Sequence, residues 1–178
     1  MVQGWRQRCG GGILLLAIAL LAIACQPPPV AHLLTAEVQR IVSGQTLEVT
    51  IPSEQPGQMQ RLRLLGLNAP DLQQVPWGPA ARDALAAELP PRTQIQLEFD
   101  AEPRDGFQQR LAYVWRDGTL VNEQLVKAGR ALASPSAPNI RYSQRLEAAQ
   151  DYARIMGLGI WNPAQPLRQT PAEFRASS

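Results

Sequence analysis

The run Arg61-Leu62-Arg63-Leu64-Leu65-Gly66-Leu67-Asn68-Ala69-Pro70-Asp71 constrains this chain more than any other stretch. Residues 60–67 read as a buried strand that nonetheless carries an arginine, and Pro70 turns the chain straight into the carboxylate of Asp71. An arginine and an acid fixed a few residues apart can hold a phosphodiester and activate a water. The residues between them are an amide and an alanine, where metal chemistry would want carboxylates.

Around this strand the sequence spells out a small β-rich domain. Residues 36–42 and 46–51 are strand-like and are separated by the hairpin turn Ser43-Gly44-Gln45. Trp77-Gly78-Pro79 opens a helix with apolar positions at Ala81, Leu85 and Leu89, and Pro90-Pro91 stops it. Residues 94–99 alternate Ile95, Leu97 and Phe99 with polar neighbours, a half-buried strand by period. Residues 100–109 are polar and loop-like, residues 111–115 form a strand, and Asp117-Gly118 its turn. Residues 121–128 form a helix closed by Gly129. A longer helix is expected over residues 141–156, with Leu146, Ala149, Tyr152 and Ala153 on one apolar face and Gly157 ending it. Past Trp161 the prolines and small polar residues read as a flexible tail over residues 163–178. Five strands, one helix interrupting them and two following describe an α+β, mainly β domain: a five-stranded OB-type barrel with about three helices, spanning residues 36–162.

Residues 1–24 read as a leader. Arg6 and Arg8 precede the apolar run 13–24, which is short for a permanent span and suits a signal peptide. Leu21-Ala22-Ile23-Ala24-Cys25 resembles a bacterial lipobox, so Cys25 is the expected lipidation site. Ordinary cleavage near Ala24 is the alternative, because Ile23 stands where that pattern prefers a small residue. Gln26-Pro27-Pro28-Pro29 is a stiff spacer within a tether over residues 25–35. The expectation is export and a membrane-anchored lipoprotein on the periplasmic or cell-envelope side, or secretion if Cys25 is not lipidated. Cys9 leaves with the leader, so the mature chain has no internal disulfide. The 17 lysines and arginines include Arg6 and Arg8; without those two, 15 face 15 acids and the mature chain is neutral. With Lys127 its single lysine, it lacks the clustered cations of a dedicated nucleic-acid binder. His32, the lone histidine, lies in the tether and reads as solvated. Ser-His-Asp chemistry, Cys/His metal patterns and nucleotide P-loops are all absent.

The order of six pieces resembles the staphylococcal nuclease (thermonuclease-like) family, over roughly residues 38–161. They are Ser43-Gly44-Gln45-Thr46, the run from Arg63 to Asp71, Trp77-Gly78-Pro79-Ala80-Ala81, Leu111-Ala112-Tyr113-Val114, Val121-Asn122-Glu123 and Gly157-Leu158-Gly159-Ile160-Trp161. The resemblance implies a calcium-dependent hydrolase of DNA or RNA, and it also shows where this chain departs from one. The family's two metal-holding aspartates correspond to Gln45 and Asn68, and a neighbouring threonine to Ala69. The general-base glutamate corresponds to Asp71, one methylene shorter; a displacement of about an ångström can cost on the order of 100-fold in rate. Of two phosphate-clamping arginines, Arg63 is present, and Gln109 replaces the second; Arg110 beside it is expected to face the other way.

Two readings follow. In the first, the domain is a catalytically impaired binding or interaction module, holding nucleic acid or protein in the barrel groove, with no metal site and no cofactor. In the second, it is a weakly active extracytoplasmic nuclease that uses Arg63, Asp71 and a loosely held calcium ion, with Asp100, Glu102 or Asp105 supplying ligands. Arg63 itself can serve either as a phosphate ligand or as a structural arginine tying down loop carbonyls or Asp71. Asp71 can equally be bound to the backbone amides of its own turn.

Overall fold

A computed structural model describes residues 33–54 and 56–177, together with Met1. The chain divides into Met1–Ala31 and a compact unit, His32–Ser178. The leader, Cys25, the proline spacer and His32 lie outside the described residues. Among the described residues no helix is long and apolar enough to cross a membrane.

Five strands close into a barrel: β1 (Leu33–Ser43), β2 (Thr46–Thr50), β3 (Met59–Leu64), β5 (Gln94–Glu98) and β6 (Arg110–Arg116). β1 pairs antiparallel with β2 and with β5, β2 with β3, and β5 with β6; the parallel pairing of β3 with β6 shuts the ring. β1 begins at Leu33, earlier than its sequence suggests, because Leu33–Glu37 pairs with β5 while its C-terminal half pairs with β2. Register shifts after Val38 and Ile41 let one strand serve both neighbours.

The core fills from alternate positions. Val38, Leu47, Val49, Leu62, Leu64, Ile95, Leu97 and Val114 are all buried. Each such side chain contributes about 1.5–3 kcal/mol through removal from water. In β3 the alternation places Leu62 and Leu64 inside and leaves Arg61 exposed and Arg63 half-buried on the other face. β3 ends at Leu64; Leu65-Gly66 turns the chain into the short strand β4 (Leu67–Asn68), which pairs with β8 (Leu132–Ala133).

Helix α1 (Trp77–Glu88) buries Ala81 and Leu85 against the barrel. Its Pro79 sits in the first turn, where the missing N–H has no helical partner to lose. Gly78 is required by contact: a Cβ there would lie 1.8 Å from the Asp71 carbonyl oxygen. Gly44 in the β1–β2 turn is similarly hemmed in, its Cβ position 2.5 Å from that of Ala81 and 2.9 Å from that of Ala69. β7 (Thr119–Leu120) leads into α2 (Val121–Lys127), and α3 (Ser143–Ile155) packs on α2 through Leu146, Ala149 and Ala153. Tyr152 does not join that face as its spacing suggested; it is exposed, with the Lys127 ammonium 5.1 Å from its ring centroid.

The C-terminal segment differs most from expectation. Instead of a structureless tail, Pro171–Ser177 forms a fourth helix, α4, with Pro171 buried. Thr170 and Glu173 cap it reciprocally: the Thr170 N–H donates to Glu173 Oε2 at 2.8 Å and the Glu173 N–H to Thr170 Oγ1 at 3.3 Å. Gln74 Nε2 donates to the Gln169 carbonyl at 2.9 Å, tying the segment to the loop after Asp71.

Candidate functional site

The site is built on the end of β3, which is held from several sides. The Leu64 N–H donates to the Gln45 carbonyl at 2.9 Å and the Leu65 N–H to the Ala112 carbonyl at 3.0 Å. Asn122 Nδ2 donates to the Leu65 carbonyl at 2.9 Å, and the Ser134 N–H to the Gly66 carbonyl at 2.8 Å. With its backbone fixed in this way, Arg63 stands opposite Thr46 of β2 and Leu111 of β6.

Arg63 lines a groove of about 450 Å³, together with Arg104, Asp105, Glu102, Ser134 and Asn139. Among the described residues its side chain has no ion pair and no hydrogen bond. Burial lowers its pKa from the ordinary guanidinium value, and the charge of Arg175 lowers it further, against a smaller opposing effect of Asp105. Of the two roles open to Arg63, tying loop carbonyls or Asp71 is not the one seen among the described residues.

Asp71 is placed elsewhere. Its Oδ1 accepts from the Gln73 N–H at 3.0 Å, its own N–H donates to Gln74 Oε1 at 2.9 Å, and its carbonyl accepts from the Gln74 N–H at 2.9 Å. This is an Asx-type turn, held under Gly78. Asp71 lines a second pocket of about 220 Å³ with Gln45, Thr46, Ala69, Arg61 and Arg175. Thr46, which lines this pocket, is also the register partner of Arg63.

The positions that the resemblance assigns to calcium do not fit the ion. Gln45 is buried, and its Oε1 already accepts from the Ala69 N–H at 2.8 Å. Asn68 Oδ1 accepts from the guanidinium of Arg175 at 2.6 Å, which places a fixed cation at that position. Ala69 offers no side-chain oxygen. Calcium takes six to eight oxygens, with carboxylate charge setting affinity; among the described residues no group of three or more His, Cys, Asp or Glu side chains could hold a metal. Of the acids expected to supply ligands, Glu102 lines the Arg63 groove and is tied to Asn139 only through its backbone, while the carboxylates of the other two are engaged. Asp100 Oδ2 accepts from the Arg141 N–H at 3.0 Å, and Asp105 Oδ1 accepts from the N–H groups of Phe107 and Gln109 at 2.9 Å each.

Gln109 lies apart from Arg63, lining a third pocket with Arg61, Arg104 and Phe107. Arg110 turns to Glu54, with which it forms an ion pair, and its guanidinium lies 5.2 Å from the Phe99 ring centroid. Two basic residues at the site were missed in the sequence. Arg104 lines the Arg63 groove and donates to the Gln108 carbonyl at 2.9 Å; nothing in its loop marks it. Arg175 arrives on α4, and Thr170-Pro171-Ala172-Glu173 carries the helix-start signal that could have revealed that element.

Comparison with known proteins agrees with this fold. Residues 61–163 match the model of the staphylococcal nuclease homologue family. The chain is 32% identical over 133 residues to the thermonuclease of Staphylococcus hyicus, covering 72% of this chain and 76% of that protein. It is 33% identical over 129 residues to the thermonuclease of Staphylococcus intermedius, covering 70% and 74%. Endonuclease YhcR of Bacillus subtilis (strain 168) is 30% identical over 152 residues, which are 78% of this chain and 12% of that protein. A closed five-stranded barrel, the arginine strand at its mouth and these matches lead to one conclusion: the chain belongs to the staphylococcal nuclease homologue family.

Proposed function

We propose that this domain binds the phosphodiester backbone of single-stranded nucleic acid in the Arg63 groove and is impaired as a metal-dependent hydrolase. The observation that carries the reading is Arg63, a half-buried guanidinium that makes no ion pair and no hydrogen bond among the described residues, although the charge of Asp105 reaches it. A cation partly removed from water and left unpaired is unfavourable, so an anionic oxygen entering the groove gains more than at an exposed arginine. Arg104 adds a second cation to the lining, facing the carboxylates of Glu102 and Asp105 there, of which Asp105 is already bonded to backbone N–H groups. The relatives are named as thermonucleases and endonucleases, which supports a phosphodiester as the ligand. Impairment is supported by the neutral, already engaged side chains of Gln45 and Asn68 and by the commitment of one Asp71 oxygen to its own turn.

The test uses residues 32–178, the compact unit that contains the whole barrel. Fluorescence anisotropy with a labelled single-stranded oligonucleotide should show binding, and Arg63→Ala should weaken it on the order of 10-fold, the scale of a charge-assisted hydrogen bond. Incubation with millimolar calcium should give no cleavage above a mock preparation. Equal binding by Arg63→Ala and the parent would sink the proposal. Calcium-dependent cleavage that Arg63→Ala abolishes would establish the other reading, a weakly active extracytoplasmic nuclease.

The leader and Cys25 support display of this domain outside the cytoplasm, anchored by lipid. Cys25→Ser in the full chain should move it from the membrane to the soluble fraction.

A further inference from the structure

The contact between Arg175 and Asn68 joins parts of the chain that are far apart in sequence, and it delivers a charge. Arg175 has no carboxylate partner among the described residues; its hydrogen bond goes to a neutral amide oxygen, at 2.6 Å. Its full positive charge therefore stays in the pocket it shares with Gln45, Thr46, Ala69 and Arg61. Asp71 is the one acid lining that pocket, and its Oδ1 is already bonded to the backbone of its turn. The charge of Arg175 also acts on Arg63, although two like charges close together disfavour one another. Thr46 links the two: it lines the Arg175 pocket and is the cross-strand partner of Arg63, which lines the groove, so a phosphate backbone that reaches both pockets meets a guanidinium in each.

The surrounding structure keeps Arg175 there. The reciprocal Thr170–Glu173 cap fixes the start of α4, Pro171 is buried, and Gln169 is tied to Gln74 on the far side of the Asp71 turn. The arginine thus reaches Asn68 from a docked helix.

We propose that Arg175 is a built-in cation which, with Arg63 in the neighbouring groove, binds a phosphodiester backbone without any divalent metal. This rests on the reading of the Arg63 groove as a phosphodiester site. It explains why the amide at Asn68 suits this chain: a carboxylate there would pair with Arg175 and remove its charge from the ligand.

Anisotropy with a labelled single-stranded oligonucleotide tests it on residues 32–178, in chelator and in millimolar calcium. The parent should bind equally in both. Arg175→Ala should bind on the order of 10-fold more weakly and lose about 0.7 from the slope of log affinity against log salt, the share of one phosphate contact on a single strand. Arg175→Lys should recover part of the affinity. Asn68→Asp should weaken binding and confer no calcium dependence, because its carboxylate would pair with Arg175. Arg175 is exposed, so its variants should melt with the parent.

If Arg63→Ala loses binding while Arg175→Ala keeps it, the groove reading stands and the built-in cation is refuted. Tighter binding by Arg175→Ala would show that α4 obstructs the site, which also overturns the proposal. Affinity that requires calcium in the parent does the same, and no binding by the parent removes both readings.

Discussion

Asn122 offers the sharpest test of how the site is held. It is fully buried, and it ties β6 to the turn after β3: its Oδ1 accepts from the Val114 N–H and its Nδ2 donates to the Leu65 carbonyl, both at 2.9 Å. Asn122→Leu keeps the number and branching of the side-chain heavy atoms and removes both hydrogen bonds; its larger volume adds an overpacking cost, so the loss worked from the unpaired polar groups is a lower bound. Each buried backbone group left without a partner costs about 1–3 kcal/mol, which gives roughly 2–6 kcal/mol in all. Domains of this size lose about 2–4 °C in Tm per kcal/mol, so melting should fall by roughly 5–20 °C. Urea unfolding followed by tryptophan fluorescence should show the midpoint lowered with an unchanged m-value. Asn122→Asp is the companion variant: it keeps the acceptor for Val114 but turns a carboxylate oxygen toward the Leu65 carbonyl, and it should be at least as destabilised. A loss below about 1 kcal/mol for Asn122→Leu, less than one unpaired group should cost, would refute the reasoning. Leu65 borders Arg63 in the groove, so the damage should also reach ligand binding.

Four further outcomes are expected. Glu98 is buried and accepts from Arg141, Tyr142 and Trp115 at 2.8, 2.9 and 2.7 Å, so Glu98→Ala should destabilise by about 2–4 kcal/mol in chemical denaturation. Burial, and then the bond to Glu98, push the Tyr142 pKa up to about 12. The folded value exceeds the unfolded one of about 10, so Tyr142's contribution to stability is intact below that pH and lost as pH rises toward the folded value; tyrosinate absorbance should show this late titration and its earlier return in Glu98→Gln. Gly78→Ala would put its Cβ on the Asp71 carbonyl, so it should cost about 1–3 kcal/mol in thermal melting, and an unchanged melt would mean the turn yields freely. Thr170→Ala removes one half of the α4 cap and should cost about 1 kcal/mol locally. Amide exchange in residues 171–177 should quicken while the barrel's protection stays unchanged.

Most of the barrel was legible because its strands alternate. Leu62 and Leu64, or Ile95 and Leu97, fall on one face with period two, and the turn residues between runs mark where pairing reverses. The ends were less legible. β1 extends to Leu33 because β5 supplies a partner, which no local pattern announces. Tyr152 has the spacing of an apolar face but stands at its margin, where a phenol can keep its oxygen in water. The tail's helix is marked by its capping residues Thr170 and Glu173 and by Pro171 in its first turn, a signal masked by the surrounding prolines and small polar residues.

The sequence alone determined the family's barrel, the arginine on β3 and the neutral character of residues 45, 68 and 69, since each depends on residue identity and short-range period. Only the tertiary structure decided what those residues do. Gln45 spends its oxygen on Ala69, Asp71 on its own turn, and Asn68 on an arginine from the far end of the chain. Hydrogen-bond partners and charge neighbours are set by three-dimensional proximity, and no local pattern encodes a contact between residues 68 and 175.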